Sequence, residues 1–244
     1  MKERPPRVPR LFATFELRSG ARLPLGEQAA HHAARVLRLR DGDAVILFDG
    51  RGGEYDARLA QPGRGHVVAE IGAKRDIERE SPLAVTLVQA VSAGEKMDYT
   101  IQKAVELGVA AIQPVIASRS IVRLAGEREA KRVAHWQRVA IAACEQCGRN
   151  RIPAVAEPLP LERYRPPAEG AKILLSPSGA RGLREFARSP VTLAAGPEAG
   201  FSEDEEARLV SAGFAPVKLG ARILRTETAA LAALAALNAL AGDF

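Results

Sequence analysis

Two rhythms of apolar and polar residues run along the chain, and one gives way to the other near residues 72–82. Upstream, short period-two runs lie between turn signals. AVILF (44–48) follows Asp41-Gly42-Asp43 and precedes the loop DGRGG, EYDARL (54–59) alternates, and HVVAEI (66–71) reads as a further strand. Short strands spaced in this way predict a small β-barrel. Inside it, EQAAHHAARVLRL (27–39) puts Ala30, Ala33, Ala34, Val36 and Leu37 at helical spacing, so a helix is expected there. The segment GAKRDIERESP is charged, lacks a period and ends in Pro82. It sets the expected domains at 1–74 and 75–244.

Downstream, strand and helix patterns alternate. LAVTLVQAV (83–91), AIQPVI (111–116), KILLS (172–176), VTLAA (191–195) and FAPVKL (214–219) read as strands. Between them lie a helix over 96–108 closed by Gly108, a long helix over 127–147 and a short helix at ARGLREFAR. The long helix carries Val133, Trp136, Ala140, Ala143 and Cys147 down one face. A helix starting at Ser202 and an Ala/Leu helix running to about residue 241 complete the pattern. Such alternation predicts an α/β fold, a mostly parallel sheet with helices on both faces. The last helix is apolar nearly all round, so it is expected to be covered on most sides, partly by a second subunit.

Composition narrows the class. The 244 residues are 47% hydrophobic, with no uninterrupted apolar stretch of membrane-spanning length. The first twenty residues lack the apolar core of a signal peptide, so a cytoplasmic protein is expected, without membrane association. Cys144 and Cys147 have no histidine partners at ligand spacing, and no metal is expected. The net charge of +6 is concentrated at the N-terminus, where residues 1–40 hold nine Lys/Arg against three acids. A basic end on a neutral body suits an anionic partner; the alternative is a solvated basic tail.

The candidate chemistry lies in three loops that follow strands. In LAAGPEAGFSEDEEARL (193–209) an apolar run ends in Gly-Pro-Glu-Ala-Gly, and Ser202 and Glu205 form the capping box of a helix. Glu203, Asp204 and Glu205 already complement the helix dipole there, so a phosphate would be repelled and a neutral or cationic ligand would fit. Neither the dinucleotide fingerprint nor a P-loop is present. LLSPSGARGL (174–183) and KLGARILRTETAAL (218–231) are loops of the same kind, the second with Thr226 or Thr228 as a helix cap. The three are either ordinary βα turns or one convergent site. In the second case backbone groups read the ligand, and Leu175, Leu219, Ile223 and Leu224 wall an adenine-sized slot.

The pair GPEAGFSEDE and LGARILRTETA resembles the signature of the SPOUT-class methyltransferases that act on uracil N3 of 16S ribosomal RNA. HHAARVLRLRDGDAVILFDGRGGEY, KMDYTIQKAVELGVAAIQPVIASRS and RVAIAACEQCGR are similar to other segments of that family, so the resemblance covers most of residues 10–240. It implies a PUA-like, barrel-type RNA-binding domain followed by an α/β domain with a deep trefoil knot. It also implies S-adenosylmethionine as cofactor, a homodimer, and 16S RNA in the small ribosomal subunit as partner. The chain departs from the family pattern at Ala199, where glycine is usual, and at Cys147, where serine is usual.

Carried onto this chain, the resemblance implies a cofactor site of Leu175, Ser176, Pro177, Gly196, Pro197, Glu198, Gly200, Leu219, Gly220, Ile223, Leu224, Arg225 and Thr226. Arg225 is the candidate cation for a uracil anion, or else an ion pair that holds the loop. Glu198 is the candidate base or sulfonium neighbour, or else an acceptor that stabilises the loop. Arg7, Arg10, Arg35, Arg38, Arg40, Glu145 and Arg149 are the candidate RNA contacts, with Arg119 and Arg123 as an extension of the basic surface. His31 and His32 are either stacking groups or inert surface histidines.

Overall fold

The computed structural model describes residues 8–63, 66–120, 126–188 and 190–244. The chain divides into two compact units, Met1–Glu80 with Cys144–Ile152, and Ser81–Ala143 with Pro153–Phe244.

The first unit is built on a five-stranded sheet in the order β1-β3-β4-β5-β2. Its strands are β1 (Arg10–Phe12), β2 (Arg22–Pro24), β3 (Ala44–Phe48), β4 (Glu54–Gly63) and β5 (His66–Arg75). β1 runs parallel to β3, and the other pairings are antiparallel. Alternation along β3 and β4 sends Val45, Leu47, Tyr55, Ala57 and Leu59 into one core with Leu11, Leu17 and Val67. The helix expected over 27–39 is shorter and changes form. α1 (Glu27–His31) packs Ala29 and Ala30 on that core and continues as a π-helical turn, His32–Val36. The Leu37 N–H bonds the His32 carbonyl at 2.9 Å, five residues back, and Arg38 then leaves the helix at φ 54°. This wider turn keeps Ala33 inside and turns Val36 outward, 62% exposed, rather than into the core.

A buried ionic cluster ties this unit together. Glu54, 1% exposed, accepts from Arg10, from Arg75 at 2.8 Å and from Arg79 at 3.0 Å. Burial pushes its carboxyl up, but the Arg79 and Arg10 guanidinium groups outweigh burial and hold it below the ordinary range.

The second unit holds a seven-stranded sheet in which every pairing is parallel. The strands are β6 (Val85–Ala90), β7 (Ala111–Ile116), β8 (Ala154–Val155), β9 (Leu159–Pro160), β10 (Ala171–Leu175), β11 (Val191–Ala195) and β12 (Ala215–Val217). They run in the order β12-β10-β11-β6-β7-β8, with β9 also on β7. The central β11 is buried at every position, Thr192 included, as a strand covered on both faces requires. The helices are α2 (Glu95–Glu106), α3 (Glu127–Cys147), α4 (Glu203–Ser211) and α5 (Thr226–Ala241). α3 buries Trp136, Ala140, Ala143 and Cys144. The expected helix at 180–188 is only a 3-10 turn, Leu183–Phe186.

α5 follows the edge strand β12 yet packs on α2, β6 and β11 near the middle of the sheet. Its buried face is Ala230, Ala233, Leu234 and Leu237, and its buried polar residue Asn238 is fully occupied. Asn238 donates to the Leu107 carbonyl at 2.7 Å and accepts from the Ser81 hydroxyl at 2.6 Å, which ties α5 to the end of α2.

Candidate functional site

β12, β10 and β11 are neighbours in a parallel sheet, so the loops that leave their C-terminal ends meet at one place. That place is a cavity of about 490 Å³, within the usual range for a small-molecule site. The first loop contributes Leu175, Ser176 and Pro177; the second, Gly196 to Phe201; the third, Lys218 to Leu224; and Thr226 and Ala229 come from α5.

Glycines shape the two loops richest in backbone. A Cβ on Gly196 would lie 3.0 Å from the Phe201 nitrogen and 3.2 Å from its ring, so the loop doubles back tightly there. Gly200 and Gly220 turn at φ 72° and 75°, and a Cβ on either would meet no atom within 4 Å. Ala199 is free of such demands. Among the described residues Arg38 is the only non-glycine with positive φ, so alanine at 199 brings no backbone strain.

The turn is held from three sides. The Thr226 hydroxyl donates to the Gly196 carbonyl and accepts from the Gln89 amide at 3.0 Å. Arg119 donates to the Ala199 and Phe201 carbonyls at 3.2 and 3.4 Å. Its guanidinium therefore braces the loop, instead of extending the basic surface as expected from the sequence. Ser202 caps α4, accepting from the Glu205 N–H at 3.3 Å, while the Glu205 carboxylate takes the Ser202 and Ser118 N–H groups at 2.8 and 2.6 Å. The chain's own carboxylate thus occupies the donors that an anionic ligand would need.

The charges that face the cavity include two carboxylates. Glu206 accepts from the Ser176 hydroxyl at 3.2 and 3.4 Å, and Ser176 also meets the Ser178 hydroxyl at 2.8 Å. Glu198 pairs with Lys96 at 3.2 Å. Burial pushes the Glu198 carboxyl up, but backbone N–H groups and Lys96 outweigh it and hold the carboxyl below its ordinary range. Apolar walls, open backbone, two carboxylates and the cations Lys218 and Arg222 suit a flat, neutral ring joined to a group that carries charge of both signs.

All the expected cofactor residues except Arg225 line this cavity. Arg225 occupies the position before α5, with its side chain exposed, while Arg222 lines the cavity in its vicinity. Sequence reasoning missed Glu206, Phe201, Lys218 and Arg222. Glu206 was legible as the position one beyond the capping box.

The expected RNA contacts divide by burial. Arg35, Arg38 and Arg40 are exposed. Arg7 and Arg123 lie outside the described residues. Arg10, 7% exposed, is pinned by Glu54 and Asn150 and lies over the Phe48 ring at 5.0 Å. Arg149, 4% exposed, grips Glu80. A phosphate would have to displace the buried Glu54 carboxylate to reach Arg10, or the partly buried Glu80 carboxylate to reach Arg149, so their guanidinium groups serve the fold. Glu145 accepts the Phe12 N–H at 2.9 Å, with His32 at 3.8 Å. Burial pushes its carboxyl up, partly offset by the Phe12 N–H, His32 and Arg10.

Cys144 and Cys147 are unpaired, and burial pushes the Cys144 thiol up to about 12. Among the described residues no three His, Cys, Asp or Glu side chains gather as a metal site. No described helix is long and apolar enough to cross a membrane.

Residues 79–238 match the family model of an RNA methyltransferase domain, and residues 25–72 that of an RNA methyltransferase PUA domain. A ribosomal RNA small subunit methyltransferase E from Buchnera aphidicola (of Schizaphis graminum) is 35% identical over 97% of this chain and 98% of its own. A protein of the same name from Neisseria gonorrhoeae, solved with S-adenosyl methionine bound, is 42% identical with a TM-score of 0.89, covering 98% of this chain and 100% of its own. A Legionella pneumophila structure with the cofactor SAM bound is 39% identical with a TM-score of 0.95, at the same coverage.

Proposed function

Since the chain belongs to the ribosomal RNA small subunit methyltransferase E family, we propose that it transfers a methyl group from S-adenosylmethionine to N3 of a uridine in 16S ribosomal RNA. The observation that carries this reading is the cavity where three parallel strand ends meet, walled by apolar side chains and bordered by Glu198 and Glu206. Its residues fit the cofactor. Leu175, Leu219 and Leu224 offer an apolar slot for adenine, the glycine loops offer backbone groups, Glu198 and Glu206 suit the sulfonium and amino cations, and Lys218 and Arg222 suit the carboxylate. When bound, S-adenosylmethionine supplies an electrophilic methyl on a positively charged sulfur, which takes back the bonding electron pair as the methyl leaves.

The chain's own residues then align and stabilise. Uracil N3 is a nucleophile only after its proton has passed to solvent water, and the negative charge left behind spreads onto O2 and O4. Arg225 has no ion-pair partner among the described residues, and its exposed guanidinium is the group we assign to that charge. Glu198 is committed to Lys96 and held below the ordinary carboxylate range, so we assign it to the cation rather than to proton removal. Residues 75–244 carry the chemistry in this reading and residues 1–74 hold the RNA. The enzyme works as a cytoplasmic homodimer on the small subunit, with the uncovered flank of α5 (Ala232, Ala239, Leu240) contributing to the dimer.

Equilibrium dialysis tests the cofactor. The protein is expected to retain S-adenosylmethionine and S-adenosylhomocysteine, and not ATP at equal concentration. Equal retention of ATP would overturn the assignment of the cavity.

A further inference from the structure

The arginines of the first unit fall into two groups. Arg10, Arg18, Arg22, Arg51, Arg75, Arg79, Arg149 and Arg151 each have a carboxylate partner. Among the described residues of that unit, the arginines without one are Arg35, Arg38, Arg40 and Arg58. These four are not scattered. Arg35, Arg38 and Arg40 lie within six residues at and just after the end of the π-helical turn, and Arg58 donates to the Gly42 carbonyl at 2.9 Å, beside the turn that follows. In their midst Val36 is 62% exposed and Leu37 is 37% exposed.

The backbone marks the same stretch. It holds a π-turn and, among the described residues, the chain's one non-glycine at positive φ, Arg38. Both features cost free energy and persist where they serve a purpose. Here they leave two apolar side chains outside the core, in a stretch that also exposes Arg35, Arg38 and Arg40.

Resting on the reading of RNA as substrate, we infer that residues 35–40 with Arg58 form an RNA-reading element. The arginines hold phosphates, and Val36 and Leu37 pack against the face of an unstacked base. Regular A-form duplex offers phosphates, hydroxyls and base edges but no open base face. An exposed apolar pair flanked in the chain by Arg35, Arg38 and Arg40 therefore selects single-stranded or locally opened RNA over perfect duplex. Apolar side chains set against an opened base step among phosphate contacts are a known recognition device.

The test compares the full-length protein with Val36→Ser/Leu37→Ser and with Arg35→Ala/Arg40→Ala, using a single-stranded RNA, a perfect duplex of the same length, and unmethylated small subunits. The arginine variant is expected to weaken both RNAs alike and to lower the slope of log K against log salt by about 1.5. The apolar variant is expected to keep the wild-type slope, lose about tenfold in affinity for single strand and lose nothing for duplex. Its KM for subunits rises while its S-adenosylmethionine affinity stays at the wild-type value. Arg38→Gly suits the local backbone and removes one guanidinium, so it should fold normally and lower the salt slope by less than one.

Unchanged single-strand affinity in the apolar variant, with wild-type protein active on subunits, would overturn the inference and leave the proposed reaction standing. Loss of a dimer by that variant in sedimentation would reassign the patch to self-association. Wild-type protein that binds S-adenosylmethionine but methylates no subunit RNA would remove the substrate reading, and the inference with it.

Discussion

Thr226→Val removes one hydroxyl from the joint between β6, α5 and the Gly196–Phe201 loop. Thr226 is 7% exposed, and its hydroxyl makes two hydrogen bonds, to the Gly196 carbonyl and from the Gln89 amide. The Gln89 amide keeps its bond to the Ala90 carbonyl at 3.1 Å, so the larger loss falls on Gly196. A partly buried carbonyl left without its donor costs at most about 1–3 kcal/mol. Valine fills nearly the same space, so no cavity adds to that cost. If the whole penalty reaches the fold, Tm falls by about 3–10 °C for a chain of this size. If the loop relaxes instead, the cost appears in binding, and S-adenosylmethionine affinity drops about 5- to 100-fold. Thermal melts with and without cofactor, together with calorimetric titration, apportion the two. A variant that melts within about 1 °C of wild type and binds cofactor within about twofold would refute the role given to this hydroxyl.

Other substitutions probe separate parts of the account. Arg225→Ala should lower kcat about 100-fold or more with cofactor affinity little changed, and Arg225→Lys should restore part of it; single-turnover transfer rates within threefold of wild type would discount the residue. Arg119→Ala removes two bonds to loop carbonyls, so the Kd for cofactor should rise about 2- to 10-fold while Tm moves by less than about 2 °C. Glu145→Gln keeps an acceptor for the Phe12 N–H but removes a carboxylate that burial pushes above its ordinary 4.5. Such a group lowers stability as pH rises above 4.5, so the variant should melt higher than wild type at pH 7 and equally at pH 4. A lower Tm at pH 7 would contradict that sign.

Local patterns in the sequence carried most of the second unit. The capping box at Ser202 starts α4 where expected, VTLAA is β11, and 127–147 is α3, because each rests on neighbours in the chain. What brings the three loops together is the strand order β12-β10-β11, and no local pattern encodes which strands become neighbours. The glycine-bearing turns were visible; their convergence was not. The first unit misled more. Helical spacing at 27–39 puts Ala30, Ala33 and Ala34 on the core as found, but it ignores the π-turn that carries Val36 and Leu37 outward from the inner face. Basic residues near the N-terminus looked equivalent, yet Arg10 neutralises Glu54 in the interior while Arg35 stands in solvent. Charge composition cannot separate these, because the partners of Arg10 and Arg149 lie 44 and 69 residues away.

The reaction itself is tested most directly by incubating the protein with labelled S-adenosylmethionine and small ribosomal subunits that lack native methylation. The RNA is then digested and its nucleosides identified by mass spectrometry. The account predicts label in 3-methyluridine from 16S RNA, abolished or strongly reduced by Arg225→Ala. Label in a ribose methyl or in another base, or no label from protein that binds the cofactor, would contradict it.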